Sequence, residues 1–252
     1  RGLVAALALL PFALHEGWAR SAPEPGLWRA GILGGVLFFI AAWLQQDGII
    51  TATVTNAGFL TALYVVITPF IVWTWHAKKP GGVLWLAVLL SIAGMWLLSG
   101  GVTGALSQGD VLIAVSAFFW AANVVVTGHA ARYARPLTFT AIQFVVVSVL
   151  GVVAAGLLET PSWEGLAAAS LDIAYVGIVS GALCFALLSI ALRYTPPSEA
   201  AIIVSTETVF AAVGGYLLFG ERLPLINWFG AGLILVAICL VQGAPLLASR
   251  RR

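Results

Sequence analysis

"PSEAAIIVSTETVFAAVGGYLLF", residues 197–219, decides how this chain is read. At about 1.5 Å per residue, a helix of this length crosses the roughly 30 Å hydrocarbon core of a bilayer. After Glu199 the stretch carries one charge, Glu207, close to its middle. An ionised side chain at the bilayer centre costs about 2.5–3.5 kcal/mol on insertion scales. A carboxylate kept there has to face protein or a water-filled cavity. Two questions follow: whether the rest of the chain is built the same way, and what the carboxylate does.

Composition answers the first. Of 252 residues, 61% are hydrophobic and 9% charged, where a soluble domain carries about 25% charged residues. The mean hydropathy is +1.04. A soluble fold of this size lacks the polar skin to cover so much apolar surface, so lipid is the expected solvent. A net charge of +2, spread along the chain, argues against nucleic acid as a partner. Cys184 and Cys239 lie in apolar runs and read as small buried hydrophobes, with no disulfide or metal pair expected. Residue 1 is Arg, so further chain is expected upstream.

Apolar runs divide the sequence into nine candidate spans, at about 2–17, 27–45, 50–75, 82–100, 109–130, 136–158, 171–193, 197–219 and 225–247. They are too long, and too uniformly apolar, for barrel strands. The connections carry turn chemistry: "SAPEPG" (21–26), "KKPGG" (78–82), "TPPSE" (195–199) and "GERLP" (220–224). Basic residues resist translocation. With Arg250, Arg251 and Arg252 placed in the cytoplasm, nine spans put ten of the twelve Lys and Arg on the cytoplasmic side and leave only Arg1 and Arg222 outside. The expected class is therefore an all-α, polytopic helix bundle in the plasma or inner membrane, with a cytoplasmic C-terminus.

The chain also repeats itself. Residues 34–80 and 180–224 share an order: small residues and Gly, an apolar helix, a polar break, a helix rich in Ser, Thr and Ala, then a charged turn ending in Pro. Each is followed by a glycine-bearing apolar helix, at 84–101 and 227–244. Corresponding helices are five spans apart. Five is odd, so the second copy crosses the membrane inverted, a recurring transporter plan. The expected halves are 1–101 and 109–247, the second with five helices and the first with four.

"TNAGFLTALYVVITP" (55–69), "GDVLIAVSAFFWAANVV" (109–125) and above all "LRYTPPSEAAIIVSTETVFAAVGGYLLFGERLPLINWFGAGLILVA" (192–237) resemble the EamA-type permeases of the drug/metabolite transporter superfamily. The resemblance runs over nearly the whole chain. It implies ten helices in two inverted five-helix repeats, both termini cytoplasmic, and a central cavity for small metabolites, often amino acids or their relatives, usually exported. On that pattern the first helix is absent here. The turn "HAKKP" (76–80) lacks the acid that Glu221 supplies in "GERLP", and Thr208 stands where many relatives have Pro.

The candidate site residues come from the polar positions of these spans. Glu207, with Thr206 beside it, reads either as a contact for a substrate amine or a coupling proton, or as a carboxyl that pins a neighbouring helix. Segment 50–75 is the inverted counterpart of 197–219. Its Thr53, Asn56, Thr61, Tyr64 and Thr68 recur roughly along one helical face. They read as a cavity wall, or as hydroxyls bonded back to their own helix with small residues easing packing. Trp120 and Asn123 share a face of segment 109–130 and complete the proposed lining. Gln45, Gln46 and Asp47 close the preceding helix. Gln143 reads as a link between helices, and Gly177 and Gly181 as a close helix approach. No cofactor is expected. The partners expected are a small-molecule substrate, the lipid bilayer and protons as a coupling ion. A scaffold or receptor would account for the bundle but not for the inverted repeat. An intramembrane enzyme lacks a histidine placed at mid-membrane to activate Ser180.

Overall fold

The computed structural model describes residues 1–18, 25–52, 54–76, 80–99, 107–158, 163–219 and 224–249. Helices α1 (Gly2–Trp18), α2 (Pro25–Thr51), α3 (Val54–Thr61), α4 (Tyr64–His76), α5 (Gly82–Ser99) and α6 (Gln108–Ala130) come first. After a 3₁₀ turn at Ala131–Tyr133 follow α7 (Pro136–Leu158), α8 (Trp163–Ala168), α9 (Ser170–Tyr175), a π-helical segment (Val176–Leu183) and α10 (Cys184–Ala191). Helices α11 (Pro197–Val204), α12 (Thr206–Phe219) and α13 (Leu225–Ser249) close the chain. No strand occurs among the described residues.

Among the described residues, six stretches are long and apolar enough to cross a membrane: Pro25–Thr51, Asn56–Trp75, Gln108–Tyr133, Pro136–Leu158, Ser170–Ala191 and Leu225–Gln242. Gly2–Gly17 and Gly82–Leu98 are apolar but shorter. Large apolar side chains stand outward along them, among them Leu157, Leu171 and Leu225, as a lipid solvent allows. The chain is a polytopic helical membrane protein.

Two expected helices are interrupted. Segment 50–75 breaks at Ala62–Leu63, and segment 197–219 at Ser205. At the first break Leu63 N–H reaches only three residues back, to the Leu60 carbonyl; at the second, Thr208 N–H does the same to Ser205. Segment 171–193 is continuous but passes through the π-helical segment. Helix α2 runs on to Thr51, so Gln45, Gln46 and Asp47 lie within it and do not end it; apolar Ile49 and Ile50 carry it further. Cys184 and Cys239 are exposed, a correction to the expected burial: in lipid the apolar face of a helix is the outer one.

The chain forms two compact units, and each takes chain from both of the stretches read as repeats. The first comprises Arg1–Ile40 and Val126–Pro196. In it α1 packs on α7 and on the π-helical segment. Gly177 allows that approach: a Cβ there would lie 2.7 Å from the Val4 Cβ. Phe38, Phe144 and Phe185 meet edge to face, with centroids 4.8–5.8 Å apart. Thr140 and Ser189 share a buried hydrogen bond of 2.8 Å. Gln143 is buried, but among the described residues its amide nitrogen has no partner, so it links no described helix through that group.

The second unit comprises Ala41–Val125 and Pro197–Arg252. Its main crossing is α5 on α13, where a Cβ on Gly94 would come within 2.6 Å of the Gly230 carbonyl oxygen. Lipid tails are as apolar as leucine, so contact of this closeness, not hydrophobic burial, holds such helices together. Asn227 adds a hydrogen bond from its side-chain amide to the Leu98 carbonyl, 3.0 Å. Helix α4 packs on α11, and Tyr64, Val65, Val88, Ala201, Ile202 and Ile234 share one core.

Candidate functional site

The second unit holds most of the polar residues picked out in the sequence. Three groupings emerge from helix ends and interruptions.

The first is built on Gln45. Because α2 continues past it, its side chain faces the end of α3. Its amide nitrogen donates to Thr61 Oγ1 at 3.0 Å, and its amide oxygen accepts from Trp120 Nε1 at 3.2 Å. Thr61 and Trp120, both expected in a cavity wall, are thus tied together through a residue read as a helix end. Asn123, one turn beyond Trp120, is fully buried.

The second lies at the start of α6. Ser107 and Asp110 cap that helix reciprocally: Ser107 N–H donates to Asp110 Oδ2 at 2.7 Å and Asp110 N–H to Ser107 Oγ at 3.1 Å. Asn56, 2% exposed, hydrogen-bonds the Asp110 carboxylate. Its amide is therefore engaged in fastening α3 to the cap. Thr53 lies outside the described residues.

The third grouping surrounds the interruption at Ser205. Three hydroxyl side chains within four residues bond back to carbonyls three residues earlier: Ser205 to Ile202 at 2.6 Å, Thr206 to Ile203 at 2.5 Å and Thr208 to Ser205 at 2.7 Å. Such bonds compete with the helical ladder and bend helices, which is the local cause of the break. Thr68 bonds four residues back on α4, donating to the Tyr64 carbonyl at 2.6 Å, one residue before Pro69, which has no N–H to give. Backbone bonding, one of the two readings open for the threonines of segment 50–75, is what Thr68 does; Thr206, read with Glu207, also bonds to its own backbone.

Restarting the helix after Ser205 puts Glu207 in the first turn of α12, where the positive end of the helix dipole favours a carboxylate. Glu207 is exposed within the chain, on the side of α12 that also carries Phe210 and Leu217. Among the described residues no hydrogen bond or ion pair engages it. Tyr64 is 5% exposed, and among the described residues its hydroxyl has no hydrogen-bond partner. A buried polar atom left unpaired costs about 1–3 kcal/mol.

Sequence reasoning missed Gln45 as a bridge and Asp110 as the partner of Asn56. The run of Ile49 and Ile50 after "QQDG" could have extended α2, and the Ser-x-x-Asp spacing of 107–110 could have located the cap. Among the described residues no group of His, Cys, Asp and Glu could hold a metal ion.

Comparison with known proteins agrees with this architecture. An "Uncharacterized transporter" of Archaeoglobus fulgidus is 29% identical over 242 residues, covering 96% of this chain and 74% of its own. The "Uncharacterized transporter YwfM" of Bacillus subtilis is 26% identical over 222 residues, 83% of this chain and 69% of that one. A solved crystal structure superposes with a TM-score of 0.77 at 16% identity, over 95% of this chain and 84% of the other, which shows a shared fold. The profile of the EamA-like transporter family matches residues 1–100 and 107–242. Matched over nearly its whole length, and folded as a many-helix membrane protein, the chain belongs to the EamA-like transporter family.

Proposed function

We propose that this membrane transporter moves small metabolites, amino acids or related compounds, outward across the plasma or inner membrane. It does so by alternating access, through a central cavity between two inverted repeats. Nine of the family's ten spans lie in 1–101 and 109–247, and the C-terminus is cytoplasmic. The observation that carries the reading is the paired interruption: the two segments taken as inverted counterparts, 50–75 and 197–219, both break near mid-length, and α4 packs on α11. Discontinuous helices at corresponding positions of two halves are where transporters bind substrate and coupling ions. The two family-matched stretches fall on the two proposed repeats, which supports the same division.

Glu207, Tyr64, Thr61, Trp120, Asn123 and Thr206 line the cavity in this reading, with Asn56 and Thr53 on the same wall, and protons serve as the coupling ion. Glu207 is exposed, and an ionised carboxylate against acyl chains would be uncompensated, so its exposed side is wet. The test is flux into and out of liposomes containing the purified protein, with and without a proton gradient. Glu207→Gln should abolish gradient-driven flux. Normal turnover and pH dependence in that variant would remove Glu207 from the mechanism, and no flux of any metabolite would leave a scaffold.

A further inference from the structure

The charged side chains of the first unit are sorted by end. Helix α1 finishes against the start of α7, where Glu16 accepts from Thr138. Helix α2 starts against the turn between α6 and α7: a Cβ on Gly26 would lie 2.7 Å from the Tyr133 Cζ. Thr140, in the second turn of α7, shares its hydrogen bond with Ser189, two residues before the end of α10. These contacts bring Arg29, Arg132, Arg135 and Arg193 to one end of the unit. The 23 residues of α7 then carry the chain about 34 Å away, and the exposed acids Glu164 and Asp172 follow at the far end. Among the described residues of this unit, Glu16 is the one carboxylate at the arginine end, and it is spent on α7. No described carboxylate pairs with Arg29, Arg132 or Arg193.

Those three arginines are exposed, and two of them rest on aromatic rings. Arg132 donates one N–H to the Tyr133 hydroxyl at 2.6 Å, with its guanidinium carbon 4.8 Å from the centroid of that ring. Arg193 lies over the ring of Tyr194 at 5.7 Å. A guanidinium has five N–H donors, so most of those of Arg132 stay available to a ligand. Trp28 and Tyr194 are exposed at the same end, as rings at a water–hydrocarbon boundary are. On α2 the face that carries Trp28 and Arg29 continues through Ile32 and Leu33, both exposed, at helical spacing. A ligand that complements this end is an anionic head with an apolar tail. Free phosphate would answer the guanidinium groups and leave the apolar stripe bare. We propose that the arginine end of the first unit is a docking surface for anionic phospholipids of the leaflet it meets. Arg29, Arg132 and Arg193 take phosphate oxygens, which the guanidinium fork matches in pairs, and at Arg29 the acyl chains lie along Trp28, Ile32 and Leu33. A zwitterionic lipid brings the same phosphate with a cation of its own, which the arginines repel, so the surface selects head groups of net negative charge.

Native mass spectrometry of the purified full chain in a non-ionic detergent tests this. The protein is offered phosphatidylglycerol and phosphatidylcholine of matched acyl chains in equal amounts, and the bound lipids are compared. Phosphatidylglycerol should be retained at least about tenfold over phosphatidylcholine at low salt. Arg29→Gln, Arg132→Gln and Arg193→Gln should each lower that ratio at least about twofold, and together bring it close to one. Arg1→Gln, away from this end, should leave the ratio unchanged. Glycerol 1-phosphate, the head group without its chains, should displace almost none of the lipid. Equal retention of the two lipids overturns the surface. So does an Arg1→Gln loss as large as the others, which would reduce the effect to net charge. Displacement by glycerol 1-phosphate overturns the lipid and leaves a site for free phosphate esters. If a variant fails to fold, the two-lipid comparison and the glycerol 1-phosphate competition on the unaltered chain decide alone.

Discussion

Glu16, near the end of α1, accepts two hydrogen bonds from Thr138, one from its backbone N–H and one from its hydroxyl, each 2.8 Å long. Thr138 lies in the first turn of α7, where the backbone N–H groups have no partner within the helix. A carboxylate 122 residues away in sequence thus caps α7 and fixes α1 to it. Caps of this kind contribute about 1–2 kcal/mol. Glu16→Ala is expected to lower the thermal midpoint in detergent by a few degrees. Thr138→Ala, which keeps the N–H, should do less, and in the double variant the two losses should not add. Additive losses would mean that the two residues act separately.

Gly94 and Gly230 predict a sharper effect. A side chain at either position meets the carbonyl oxygen of the other, at 2.6 Å from Gly94 and 2.5 Å from Gly230. Backbone cannot swing aside, so Gly230→Leu should separate α5 from α13 and leave little folded protein by size-exclusion chromatography. Gly232, two residues on, has nothing within 4 Å of an added Cβ. Gly232→Leu should be recovered at the level of the unaltered chain, and equal loss from both would show that the crossing is not what holds α13.

The Gln45 bridge should be visible in energetic coupling. Gln45→Leu removes a donor to Thr61 and an acceptor for Trp120 at once. It should reduce flux and destabilise the protein by about 1–3 kcal/mol, since two polar groups lose their partner. Trp120→Phe in the Gln45→Leu background should cost less than it does alone. A full, undiminished cost in that background would show that Trp120 contributes through packing only.

The environment of Glu207 is open to direct chemical test. With Cys184 and Cys239, both exposed, replaced by Ala, Glu207→Cys should react with a charged, membrane-impermeant thiol reagent in intact vesicles. Leu217→Cys, on the same side of α12 and ten residues on, should react far more slowly if water reaches only the start of the helix. No reaction at position 207 would put that side chain in lipid and end its role in transport.

Sequence alone determined the class of this protein. Runs of apolar residues of bilayer length fix helices, because lipid offers no partner to an exposed backbone N–H or carbonyl. The boundaries of α5, α6 and α7 were legible for that reason, and the EamA motifs were legible because they are local strings. The interruptions at Ala62–Leu63 and Ser205 were not, since a hydroxyl in "VSTET" can point outward or bond back to its own helix, and packing selects between them. Likewise Asn56 fastening to Asp110 and Gln45 bridging Thr61 and Trp120 join residues far apart in the chain. A one-dimensional pattern states which side chains can hydrogen-bond. Only the tertiary structure decides which of them find each other, because in a membrane a polar group has few partners besides those that folding brings to it.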